Sequence, residues 1–207
     1  MAFKSIRGIL GISFILVVIT TSIFVENAHA LSRQNTSGLP LLNVFVSQVK
    51  NGQAGELRGI YIPEILATPV VQQPTGNNSF VSPRQNIITQ FNLASQIGST
   101  GLLAHNYLAG KSFSFLEKDK KFYLIYGDGR VSTFIVTEVL RYQALEPTNI
   151  TSKFASLENN DLLTASELFS KVYNRPGKVI FQTCISKDNN PSWGSLFVIA
   201  EPYSSKP

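Results

Sequence analysis

The sequence predicts a mainly β domain, either a closed barrel or a sandwich with a helix appended. Short runs rich in β-branched and aromatic residues recur along the chain. Gly, Pro, Asn and Asp punctuate them at close intervals. A single stretch carries both the cap and the apolar face of a helix, and the chain has no internal repeat.

The chain opens on a targeting segment. Lys4 and Arg7 are followed by Gly8 to Val25, 18 residues without a charge, and then by the small-residue pattern Ala28-His29-Ala30. Residues 1–30 therefore read as a signal peptide. Left uncut, the same stretch is just long enough for a membrane anchor, with the basic flank inside and the domain outside. Removing thirty residues from 207 leaves enough chain for one domain with its own core.

Residues 31–57 form a lead-in, with Leu41 to Val49 apolar enough to dock. The β domain is expected over 58–207. Gly59 to Ile62 is a strand stopped by Pro63, after which Glu64 to Val71 continues extended. Gln72 to Arg84 is a loop, and Ile87 to Ala94 fits a strand or a short helix equally well. Gly101 to Ala104 is a short apolar strand ending at His105-Asn106. Lys121 to Tyr126 and Val131 to Tyr142 form a hairpin around Gly127-Asp128-Gly129. Leu162 to Tyr173 is the helix. Thr164 and Glu167 stand at capping-box spacing, Leu163 and Leu168 at staple spacing, and Pro176-Gly177 closes the helix. Val179 to Cys184 is a buried strand, Ser186 to Trp193 a loop, and Leu196 to Ala200 the last strand.

Composition excludes several functions. The formal charge is +5, and the mild excess is spread along the chain with no basic cluster interleaved with aromatics, so nucleic acid is not an expected partner. The histidines do not pair, one cysteine cannot make a zinc site, and no calcium-loop pattern occurs, so neither a metal nor another cofactor is expected.

What remains is one cysteine and, beyond the targeting segment, one histidine. A lone thiol cannot close an intramolecular disulfide. It can pack as a small apolar core residue. It can also act as a nucleophile if a base is close by, and Cys184 and His105 each sit next to a strand-like run.

These residues resemble the sortases, cysteine transpeptidases of bacterial cell surfaces. Val179-Ile180-Phe181-Gln182-Thr183-Cys184 is similar to the family's strand ending in Thr-Cys. Gly101-Leu102-Leu103-Ala104-His105-Asn106 is similar to the segment that carries its histidine. Ile60 to Ile65 with Pro69-Val70, Phe113 to Leu116, and Leu196 to Glu201 follow the family pattern in order, so the resemblance spans roughly 57–202. It implies a closed β-barrel with short helices, Cys184 as nucleophile and His105 as general acid and base. It also implies a protein substrate with a C-terminal sorting signal, an amine acceptor, and contact with the membrane only through an uncut N-terminal segment. Asn106 and Thr183 flank the pair as supporting positions. Ser195 stands where the family places an arginine, and one short hydroxyl replaces a fork of fixed donors. Arg130, Arg141 and Arg175 read first as solvated surface arginines, each with approach to the site from elsewhere as the alternative.

Overall fold

Alternating burial is what turns these strands into a barrel. A computed structural model describes residues 38–149, 151–159 and 161–204. In the strand Val179–Lys187, Val179 and Phe181 enter one apolar cluster while Ile180 joins another on the opposite face. Successive side chains of a strand point to opposite faces, so one run serves an interior and an outer layer. The targeting segment expected at 1–30 lies outside the described residues. Among those described, no helix is long and apolar enough to cross a membrane.

Helix α1 (Leu42–Val49) comes first, followed by β1 (Leu57–Ile62), β2 (Leu66–Gln72), β3 (Ile88–Phe91), helix α2 (Asn92–Gln96) and β4 (Thr100–Leu103). A 3-10 helix (Ala109–Phe115) leads into β5 (Lys121–Tyr126) and β6 (Val131–Ala144). The short strands β7 (Phe154–Ser156) and β8 (Leu162–Leu163) precede helix α3 (Ala165–Tyr173), β9 (Val179–Lys187) and β10 (Asn190–Pro202).

Eight strands close a ring in the order β10-β9-β4-β3-β2-β1-β5-β6, and β6 pairs back onto β10. The β2–β3 and β4–β9 pairs are parallel and the other pairs of the ring antiparallel, so this is a mixed closed barrel. The β7 and β8 strands continue the sheet outward from β6. Of the two architectures the sequence leaves open, the barrel is the one formed.

The barrel is filled by Ile60, Ile62, Leu102, Phe113, Phe122, Leu124, Phe181 and Val198, all at most 1% exposed. Phe181 meets Phe113 and Phe122 edge-on, with both ring centroids 5.0 Å away. Outside the wall, α3 covers Tyr142, Ile180, Phe197 and Ile199, while α1 sets Phe45 and Val49 against Tyr61 and Ile125.

Three local expectations need correction. Glu64 does not continue extended: Ile62 pairs with Leu66, so Pro63 to Ile65 must reverse the chain, and Glu64 takes φ 66°. Leu162-Leu163 is strand rather than helix, because it pairs with Phe154-Ala155 before Thr164 caps α3. Ser186 to Trp193 is no loop but the tip of a two-stranded ribbon. Asp188 and Asn189 both take positive φ, as a tight two-residue reversal requires. The ambiguous stretch from Ile87 to Ala94 resolves as both alternatives in succession, β3 and then α2.

Candidate active site

Two parallel strands deliver the two reactive side chains. Leu103 at the end of β4 pairs with Gln182 in β9. Cys184 stands two residues further along β9, whereas His105 stands two residues beyond the end of β4, outside the ladder, and lines neither of the clefts described below. Ala104 N–H donates to Gln182 O at 3.3 Å, continuing the contact past the last ladder pair. On its other side Cys184 pairs with Ser195 of β10, and Ser195 pairs in turn with Tyr142 of β6. The β strands thus bring His105, Cys184 and Ser195 to one end of the barrel.

Cys184 is a free, exposed cysteine. Protein atoms around the sulfur nevertheless desolvate it, and this burial pushes the thiol above its ordinary value; a hydrogen bond from the Ser192 side chain opposes the rise in part. Ser192 reaches the sulfur because β10 carries extra residues. Asn190 pairs with Lys187 and Gly194 with Ile185, so Pro191, Ser192 and Trp193 bulge between them. The bulge could not be read from the sequence, since it is defined only by the partner strand's register.

The imidazole of His105 stacks on Tyr107, centroid to centroid 5.1 Å with 18° between the planes, and Tyr107 is 68% exposed. Asn106 donates from Nδ2 to Ser186 Oγ at 2.7 Å and to Pro191 O at 2.9 Å. It therefore ties the end of β4 to the β9–β10 ribbon. Thr183 is 6% exposed, and its Oγ1 has no hydrogen-bond partner among the described residues. Gly110 of the 3-10 helix packs against it. A Cβ there would stand 2.3 Å from Thr183 Oγ1 and 2.6 Å from the carbonyl oxygens of Ala104 and His105.

One cleft is lined by the thiol, and a second lies beside its strand partner Ser195. The first, of about 410 Å³, is lined by Cys184, Thr183, Lys111, Ser114, Arg141 and Leu157 among others. The second, of about 200 Å³, lies between α3 and the barrel wall and is lined by Phe91, Phe169, Tyr173, Gln182, Ser195 and Phe197 among others. Tyr173 is buried there, which drives its phenol far up, and its OH donates to Gln182 Oε1.

Of the three arginines, only Arg141 lines either of these clefts. Arg175 is held by Glu138 at 2.6 Å and by Lys171 O, and Arg130 stacks on Tyr126. Tyr107, Ser192 and Lys111 were not singled out by the sequence. An aromatic two residues beyond the histidine was the one visible hint. No cluster of three or more His, Cys, Asp or Glu side chains able to hold a metal occurs among the described residues.

The chain is structurally similar to sortases over most of its length, at low sequence identity. Sortase C-1 from Actinomyces oris aligns over 82% of this chain and 84% of its own, with TM-score 0.49 and 14% identity. Sortase C1 from Streptococcus suis aligns over 80% and 79%, with TM-score 0.48 and 16% identity. Sortase A from Listeria monocytogenes aligns over 72% and 88%, with TM-score 0.44 and 13% identity. No protein-family model matches the chain, and no curated protein matches it.

Proposed function

We propose that the protein is a sortase-like cysteine transpeptidase or hydrolase working outside the cytoplasmic membrane. The observation that carries this reading is the parallel pairing of β4 with β9, which sets the segment leading to His105 beside the strand that bears Cys184. Support comes also from the motif resemblance of five segments in order, and the extracytoplasmic setting rests on the pattern in residues 1–30. The substrate is a protein with a C-terminal sorting signal, whose apolar side chains suit the aromatic cleft beside Ser195.

In this reaction the Cys184 thiolate attacks the scissile carbonyl carbon. The S–C bond forms, the peptide C–N bond breaks, and His105 gives a proton to the departing amine. An amine or water then attacks the thioester. Its new C–N or C–O bond forms as C–S breaks, and its proton passes to His105, which restores the pair. Asn106 is a positioning residue, since its two hydrogen bonds fix the ribbon that carries the thiol.

A second reading has a specific observation behind it. Ser195 occupies the position paired with Cys184, where the family resemblance calls for an arginine. Loss of a principal oxyanion donor costs about a hundred- to a thousandfold in turnover. A sortase-shaped protein that binds peptide or wall polymer with little turnover accommodates that substitution.

The pH dependence of Cys184 alkylation by iodoacetamide separates the two, measured on the mature domain and on His105→Ala. A profile that moves when the histidine is removed supports the coupled pair. Identical profiles in the two proteins defeat the enzyme reading and leave the binding protein.

A further inference from the structure

We propose that the larger cleft beside Cys184 is a carboxylate subsite, and that it receives the acceptor amine's own carboxylate. The proposal rests on the reading of Cys184 as a nucleophile for its use, but not for its existence. Lys111 and Arg141 bring two cations to the cleft, from the 3-10 helix and from β6. Among the described residues, neither side chain has a hydrogen-bond or ion-pair partner. The nearest candidate to neutralise Arg141 is Glu158. Its carboxylate instead accepts the Arg141 backbone N–H at 3.2 Å and Ser156 Oγ–H at 3.1 Å, with no ion pair to the guanidinium.

The second observation is the hydroxyl of Thr183. It lines the same cleft, is almost fully buried, and lacks a partner. Its Oγ1 is sealed beneath Gly110, so it lies under the cleft as an unpaired polar atom and is not itself open to a ligand. Cationic forks and ammonium groups of this kind suit carboxylate oxygens.

The two clefts differ in chemistry, and this assigns the ligand. The aromatic cleft beside Ser195 suits the apolar side chains of an acyl donor. The cationic cleft is the one that the thiol itself lines, and it is left for the acceptor. A bare ammonium is repelled there by Lys111 and Arg141, which favours the neutral, nucleophilic amine. An amine carrying a carboxylate on the same unit is both attracted and kept reactive.

The test uses reagents of known charge on the mature domain. Iodoacetate and iodoacetamide alkylate the same thiolate, so their rate ratio cancels any change in the thiol's ionisation. Relative to 2-mercaptoethanol, Cys184 is expected to favour iodoacetate by about threefold or more at low salt, and to lose that preference in 1 M NaCl. Lys111→Ala with Arg141→Ala is expected to abolish the preference, and Arg141→Lys to retain most of it. A second arm acetylates Cys184 with p-nitrophenyl acetate and compares glycine with glycinamide as acceptors at equal free-amine concentration. Faster release by glycine, lost in the double variant, supports the assignment. An iodoacetate preference without a glycine preference overturns the acceptor assignment and moves the carboxylate to the donor. No iodoacetate preference overturns the subsite itself. Failure of Cys184 to acetylate defeats the enzyme reading alone, because the alkylation ratio still decides the subsite.

Discussion

Cys184 sits in an environment that favours the protonated thiol, and this sets its pH behaviour. Burial raises its folded-state value above the free-thiol value of about 8.5. Between those two values the native protein keeps a proton that the unfolded chain has released, so this group contributes a loss of stability as pH rises through that window. The alkylation profile is expected to lie above that of a free thiol. Ser192→Ala removes the opposing hydrogen bond and is expected to move the profile further up, read by intact-mass kinetics between pH 7 and 11. A profile at or below the free-thiol value would show that desolvation does not govern this sulfur. Tyr107 offers a companion test. Its ring is stacked on His105, so Tyr107→Ala frees the imidazole to reorient while Tyr107→Phe keeps the stack. The alanine variant is expected to change the pH dependence of Cys184 reactivity, and the phenylalanine variant to leave it near wild type.

At the level of elements, α3 and the 3-10 helix shape the two clefts. The α3 helix begins on a reciprocal cap: Thr164 Oγ1 accepts from Glu167 N–H, and the Glu167 carboxylate accepts from Thr164 N–H at 2.8 Å. Those hydrogen bonds from Thr164 hold the Glu167 carboxyl below its ordinary value, so the cap's contribution is lost as pH falls through that lowered value. Thr164→Ala is expected to cost about 1 kcal/mol, measured by urea unfolding. Gly110→Ala is expected to cost about 1–3 kcal/mol, because its methyl meets two backbone carbonyls that cannot swing away. The α3 cap was legible because it depends on residues three apart. So was the β5–β6 hairpin, whose strands and turn are contiguous. The β9–β10 ribbon was misread as a loop, since its polar tip is stabilised by pairing across strands rather than by its own composition. Likewise Cys184 and His105 could be picked out by type, whereas Arg141 could be singled out only once β6 was known to lie two strands from β9.

For the molecule as a whole, the seam between β6 and β10 decides whether the barrel exists. Gly194 makes that seam possible, since a Cβ there would stand 2.4 Å from Tyr142 O. Gly194→Val is expected to weaken or abolish cooperative unfolding, seen as a broadened thermal transition by circular dichroism. The parallel β4–β9 pair has a further consequence in time. Nearly half the described chain separates these strands, and they become neighbours only when the most distant segments meet. Such contacts are late rewards in a folding reaction, because the closure entropy of the intervening loop comes first. The thiol's special environment is therefore absent from an incompletely folded chain. During refolding, pulse alkylation should show Cys184 behaving as an ordinary solvated thiol until the ring shuts. Reactivity of the native kind thus reports completed folding.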